Sequence, residues 1–398
     1  MIQLHKFNKV DFIFKNKFIK SSITRPFDQK ILDFIDNLSK DLFKYRNIKL
    51  YDDLVSFAYW CRKSNLKQIS TNYSHNINSI GRGLVLHISP SNVPITCLYS
   101  FIFGILTGNN NAIKIPNKKF VQLEIFFEIL KKILLKKKYN FLNYGNIFFK
   151  CDRNNDIIKY LSLNANCRII WGGDNTIENF KHIKTNPRCV DINFSDRYSI
   201  SIINSKKLNN TFLKNKHNII KKFYNDTYLF DQNGCSTPHL VLWYGKNNSN
   251  IKKKFWDELC DHVKKNFNID EFIAYEKFVL QNIYLSKNYI SHYKKYENYL
   301  HVLNIKQFPK NVDELRGKFG FFFEKDINSL GEILNFVNFK FQTVTYFGFN
   351  KKKILNYIVK NNINGIDRIV PFGSAFNIGL IWDGYDLYHA LSRKINIE

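Results

Sequence analysis

No stretch of this 398-residue sequence is long and apolar enough to cross a bilayer. The longest apolar run, Pro94 to Gly108, contains Thr96, Ser100 and Gly104, and falls short of the roughly 20 residues a membrane helix needs. It therefore reads as a buried helix of a globular protein. The opening MIQLHKFNKVDFIFKNK has no apolar core followed by small residues, so no secretory leader is expected and the chain is expected to stay in the cytoplasm. There is no CxxC pair. The seven cysteines, Cys61, Cys97, Cys151, Cys167, Cys189, Cys235 and Cys260, are an odd set without regular spacing, which excludes a disulfide framework and gives no metal site. Most should be buried small hydrophobes, so a reactive one must be picked out by its neighbours. Internal repeats and low-complexity linkers are also missing, beyond a lysine and asparagine bias.

Acidic residues are scarce, 33 against 60 Lys and Arg, for a formal charge of +27. Such a charge draws nucleic acid only when it is clustered. Here the lysines are scattered among Asn, Ile, Phe and Tyr, so nucleic-acid binding is disfavoured. A basic surface would still attract phosphate-bearing cofactors and acidic carrier proteins. With 44% hydrophobic and 16% aromatic residues the chain lies well away from disordered compositions, and its length suits two lobes, each with its own core.

Residues 1–80 show helical apolar spacing in QKILDFIDNLSKDLFKY and around DDLVSFAYWCRK, which predicts a helical N-terminal segment. From Gly83 the pattern becomes short β-rich runs separated by helical ones. LVLHI, NAIKI, NIFF and RIIW (84–88, 111–115, 146–149 and 168–171) read as strands, with helices after Pro94, over about 118–137, from an N-cap at Asp152 and from an N-cap at Asp174. This alternation describes an α/β fold with a parallel sheet, a nucleotide-binding domain over 81–203. A second α/β lobe is expected over 204–362, with the segment 363–398 returning to the first.

Two segments carry chemistry. In GLVLHISPSNVP a buried strand runs into a turn stiffened by Pro90 and Pro94, which holds the Asn92 amide at the carboxyl edge of the sheet where it could donate to an oxyanion. Equally, Asn92 could cap the next helix or close the turn. In FDQNGCSTPH, Cys235 sits in a Gly- and Pro-bounded loop before a strand, the accessible setting a reactive thiol needs. By itself that loop could also hold one more buried cysteine.

GRGLVLHISPSNVP, GNNNAIKIP, WGGDNTI and NGCSTP appear together and in this order. They resemble the oxyanion-asparagine turn, the ribose-contacting lysine strand, the cofactor glycine turn and the nucleophile loop of aldehyde dehydrogenases. More closely, the chain is similar to the acyl-CoA reductase branch typified by the fatty acid reductase of bacterial bioluminescence, a likeness shared by DRIVPFGSAFNIGLIWDGYDL (367–387). The resemblance covers about residues 80–398. It implies an aldehyde dehydrogenase-like fold and reduction of an acyl thioester, on CoA or on a protein carrier, to an aldehyde. Cys235 would be the nucleophile and Asn92 the oxyanion donor. Lys114 would meet the adenosine ribose, Gly172 and Gly173 the pyrophosphate, and Ser89 and Pro90 the cofactor from the preceding turn. An acyl-activating ligase is the implied partner, and a homo-oligomer the implied assembly.

No acidic residue lies between Lys114 and the pair Lys118 and Lys119, a setting able to take a 2′-phosphate, so NADPH is expected, with NADH the alternative. The chain also departs from the hydrolytic relatives. Asn193, in NFSDR, stands where they carry a general-base glutamate. LRGKFGFFFEKD keeps a Gly-Phe element without the acid that usually holds the nicotinamide ribose. His87 and His239 are read as structural. The competing readings are reduction of an acyl phosphate, oxidation of an aldehyde, and a basic binding protein on a decayed reductase fold.

Overall fold

The computed structural model describes residues 2–14, 18–20, 23–74, 78–152, 154–246 and 248–398; part of the N-terminal stretch read for a leader lies outside them. Two compact units result, one of residues 1–195 with 380–398 and one of residues 196–379.

The first unit is built on a six-stranded sheet in the order Asp11–Phe12, Asn146–Lys150, Asn110–Lys114, Leu84–Ile88, Cys167–Trp171, Val190–Phe194. Only the short Asp11–Phe12 strand is antiparallel. The three strands Leu84–Ile88, Asn110–Lys114 and Cys167–Trp171 are buried almost throughout, as interior strands of a covered parallel sheet must be. The apolar run after Pro94 is the helix Ile95–Leu106, every residue of which is buried. Gly104 is required in it, because a Cβ there would lie 1.9 Å from Asn111 Oδ1. Asn111 cannot withdraw, since its amide donates to Asn146 Oδ1 at 2.7 Å and its oxygen meets His87 Nε2 at 2.9 Å. Buried amides are tolerated only when bonded in this way.

Several local expectations are corrected. The N-terminal segment holds the helices Gln29–Phe43, Asp52–Trp60 and Lys63–Thr71, but these follow three two-residue strands, one of which extends the main sheet. The helix expected from Asp152 begins at Asp156, with Asn155 as its cap accepting from the Ile157 amide at 3.0 Å. Gly173, not Asp174, is the N-cap of the helix Asp174–Lys181. Of the segment 363–398 expected to return to this unit, residues 380–398 do so and 363–379 stay in the second: Ser392–Lys394 pairs antiparallel with Ser79–Gly81, and Tyr388 stacks on Tyr73 at 4.3 Å.

The second unit holds a seven-stranded sheet ordered Ile290–Tyr296, Leu300–Ile305, Phe321–Ile327, Pro238–Tyr244, Tyr198–Asn204, Phe341–Phe347, Arg368–Pro371. All neighbours are parallel except the first pair, a hairpin that interrupts the expected β/α alternation. The long helix Ser205–Thr227, kinked at Asn215, covers one face with Ser249–Asn266. Their aromatic residues pack with Trp243 and Phe322 of the sheet. Among the described residues no helix is long and apolar enough to cross a membrane.

Candidate active site

In the first unit the candidate residues gather at the carboxyl edge of the sheet. Ile88 pairs with Lys114 on one side and with Ile170 on the other, so the chain leaves three adjacent strands at one level. The strand order reverses here, because the chain passes from Leu84–Ile88 outward to Asn110–Lys114 and Asn146–Lys150, then back across to Cys167–Trp171. Open α/β sheets bind ligands at such a switch point. The Ser89 amide donates to the Lys114 carbonyl at 3.1 Å and the Gly172 amide to the Phe194 carbonyl at 3.1 Å. Both turns are thereby tied to their neighbouring strands.

Within that edge Asn92 is exposed and Ser89 and Pro90 half-buried. The following helix has Pro94 at its N-cap and takes no side-chain cap bond, so Asn92 does not cap it. Lys114 is buried, while Lys118 and Lys119 are exposed. Burial pushes the Cys151 thiol up to about 11, against the pull of the nearby Lys114 ammonium. Cys151 lines a hollow of about 430 Å³ with Lys9, Asp11, Asn117, Lys150 and Asp152.

The two glycines behave differently. A Cβ at Gly172 would lie 2.8 Å from Thr176 Cγ2, whereas one at Gly173 would meet nothing within 4 Å. Gly173 thus leaves open space at the start of a helix that has no side-chain cap. Backbone amides and the positive end of the helix dipole suit a pyrophosphate there. Asn193 is on the last strand of the sheet, and its buried Oδ1 has no hydrogen-bond partner.

Cys235 belongs to the second unit. It is the one exposed cysteine of the seven; five are buried and Cys189 is intermediate. Its loop feeds the amino end of the strand Pro238–Tyr244 and is fastened to that sheet at three points. Gln232, in the left-handed region at φ 64, accepts from the Gly320 and Phe321 amides at 2.9 and 3.1 Å and donates to the Phe321 carbonyl at 3.1 Å. Ser199 Oγ donates to the Cys235 carbonyl at 2.6 Å and accepts from the Thr343 amide at 3.1 Å. Ser236 Oγ donates to Gln342 Oε1 at 3.0 Å and accepts from Arg368 at 3.2 Å. The backbone on both sides of the thiol is therefore held while the side chain stays accessible.

Neither histidine reaches the surface. His87 is buried between Ser100 Oγ and Asn111 Oδ1, at 2.7 and 2.9 Å, and burial pushes it down to about 4. His239 accepts from the Gly317 amide at 3.2 Å, its ring stacked on Tyr198, and burial, helped by the Arg316 charge, takes it down to about 3. Both are neutral core groups. Sequence reasoning missed Gln232, Arg368 and the buried Asp226, which accepts from the Gly373 and Ala375 amides at 2.7 and 2.8 Å. The first two lie inside the quoted motifs FDQNGCSTPH and DRIVPFGSAF; nothing in YNDTYLF marks Asp226.

A family model described as acyl-CoA reductase (LuxC) matches residues 29–269. The match takes in most of the N-terminal segment that the motif resemblance left out, and ends before 367–387. No curated protein sequence matches. Solved structures share the fold. Aldehyde dehydrogenase 21 from Physcomitrella patens, in complex with succinate, is 11% identical at a TM-score of 0.60, over 92% of this chain and 83% of its own. The glyceraldehyde-3-phosphate dehydrogenase GapN from Methanocaldococcus jannaschii, complexed with NADP, is 12% identical at 0.61, over 92% and 88%. The 1-pyrroline-5-carboxylate dehydrogenase of Thermus thermophilus is 9% identical at 0.63, over 92% and 80%. The chain spans 42% of the bifunctional proline utilization A protein that it also matches. With an aldehyde dehydrogenase-like fold and a family match over more than half its length, this chain belongs to the acyl-CoA reductase (LuxC) family of oxidoreductases.

Proposed function

We propose that the protein reduces an acyl thioester to an aldehyde through an acyl group carried on Cys235. The observation that carries this reading is the exposure of that one thiol in a loop otherwise fastened to its sheet. The Cys235 thiolate attacks the thioester carbonyl, and the Asn92 amide donates to the oxyanion that forms. Collapse expels the donor thiol and leaves the acyl group on sulfur. When bound, a reduced nicotinamide supplies the hydride that turns this acyl carbonyl into a thiohemiacetal on Cys235. Loss of the aldehyde then regenerates the sulfur. Asn193 cannot take a proton from water as a carboxylate would, which protects the acyl group from hydrolysis.

The first unit's residues fit a dinucleotide. Gly173 leaves room for a pyrophosphate at a helix start, Gly172 packs the turn closely, and Ser89, Pro90 and Lys114 border the same sheet edge. The exposed Lys118 and Lys119 favour NADPH over NADH, as GapN is seen with NADP. CoA or an acidic carrier protein would deliver the acyl group to a chain of charge +27, with an acyl-activating ligase as partner and a homo-oligomer as the assembly. Incubation with a long-chain acyl-CoA should add one acyl group to Cys235, detected by mass spectrometry, and Cys235→Ala should abolish both that adduct and aldehyde formation while nucleotide still binds. An equal adduct on the variant would sink the reading, and faster turnover of an acyl phosphate would reassign the donor.

A further inference from the structure

We infer that Asp226 and Arg368 are positioning residues for the nucleophile, acting together as a clamp that holds the segment 372–377 against the Cys235 loop. Asp226, at the end of the helix Ser205–Thr227, is 1% exposed and accepts from the Gly373 amide at 2.7 Å and the Ala375 amide at 2.8 Å. A buried carboxylate is costly unless bonded in this way. Arg368 acts from the other side. Its guanidinium donates to the carbonyls of Ala375 and Asn377, at 2.8 and 3.1 Å, and to Ser236 Oγ beside the nucleophile at 3.2 Å.

The segment held between them presses on the loop. The Phe376 ring lies 4.6 Å from that of Phe230, and a Cβ added to Gly234 would sit 2.6 Å from Phe376 Cε1. The residue before Cys235 is thus in contact with the clamped segment, and the residue after it is bonded to Arg368. A guanidinium suits this role because its fixed fork reaches several acceptors at once, which an ammonium cannot.

The inference rests on Cys235 being the acylated residue. The test uses the full chain as wild type, Cys235→Ala, Asp226→Asn and Arg368→Lys, measuring the rate of Cys235 acylation by an acyl-CoA, the affinity for reduced nicotinamide and far-UV circular dichroism. Misplacing a reacting atom by about 1 Å costs on the order of a hundredfold, so each clamp variant should acylate about tenfold to a hundredfold more slowly. Nucleotide affinity, read from the other unit, should stay within about twofold of wild type, a split that general destabilisation would not produce. If Asp226→Asn fails to fold, Arg368→Lys carries the test, since it keeps the charge and removes the fork. Wild-type acylation with folded variants reacting at the wild-type rate overturns the clamp. No acylation of the wild type at Cys235 overturns the proposed function instead.

Discussion

The two units present their candidate residues on opposite kinds of sheet edge. In the first unit the residues follow the carboxyl ends of parallel strands, where the ladder fixes the backbone and two backbone hydrogen bonds, Ser89 to Lys114 and Gly172 to Phe194, finish the turns. In the second unit Cys235 precedes a strand, in a loop with Asp231 and Gln232 in the left-handed region. No ladder reaches that loop; one backbone bond, from the Phe319 amide to the Asp231 carbonyl, and the side chains of Gln232, Ser199, Ser236 and Arg368 fasten it. A nucleotide edge can be made from backbone and glycine, whereas an accessible thiol needs a set of buried polar anchors.

The largest effect tests whether the buried layer beneath each edge is equally vulnerable. Among the histidines that burial depresses, His87 in one unit and His239 and His301 in the other are neutral when folded and gain protons on unfolding. Their contribution is fully present above the unfolded value of about 6.5 and is lost as pH falls through about 4 for His87 and about 3 for His239 and His301. By pH 4 the loss relative to neutral pH is roughly 3 kcal/mol for each. Asp226, which burial pushes up to about 7, takes its proton in the folded state over the same range and offsets part of this loss. Urea midpoints should still drop between about pH 6.5 and 4, and midpoints level over that range in Asp226→Asn would show that the rings are not buried neutral. A smaller effect separates the two edges. Gln232→Ala leaves the Gly320 amide without an acceptor and the Phe321 amide with the Lys318 carbonyl alone, and should cost about 1–3 kcal/mol, with Cys235 acylation lost in step. A variant as stable and as reactive as wild type would mean that the loop is held without its anchor. The smallest effect belongs to the glycine edge. Gly173→Ala should change stability by about 1 kcal/mol or less, because its Cβ meets no protein atom, yet weaken nucleotide binding by about tenfold, or about 1.4 kcal/mol. Unchanged nucleotide affinity would move the pyrophosphate elsewhere.

Much of the first unit was legible because interior parallel strands are continuous apolar runs: Leu84–Ile88 falls where LVLHI is read, and the run after Pro94 is a buried helix. Short edge strands were not, since two residues such as Asp11 and Phe12 carry no period and are strand only because Phe149 and Lys150 pair with them. Cap positions shifted for a similar reason. Asp152 and Asn155 are both good caps by type, and packing of Ile157, Ile158 and Leu161 selected the later start.

By itself the sequence determined the alternation of apolar strands and helices and the glycine turn, because these depend on local chain stiffness and on which side chains avoid water; Cys235 was singled out among seven by the order in which its motif follows the others. Only the tertiary structure decided which strands adjoin, and so brought the 89, 114 and 172 turns to one edge. It also decided that Gln232, Asp226 and Arg368 are anchors. Their partners lie 89, 149 and 132 positions away, and a hydrogen bond between residues so far apart leaves no period, spacing or propensity in the chain from which it could be read.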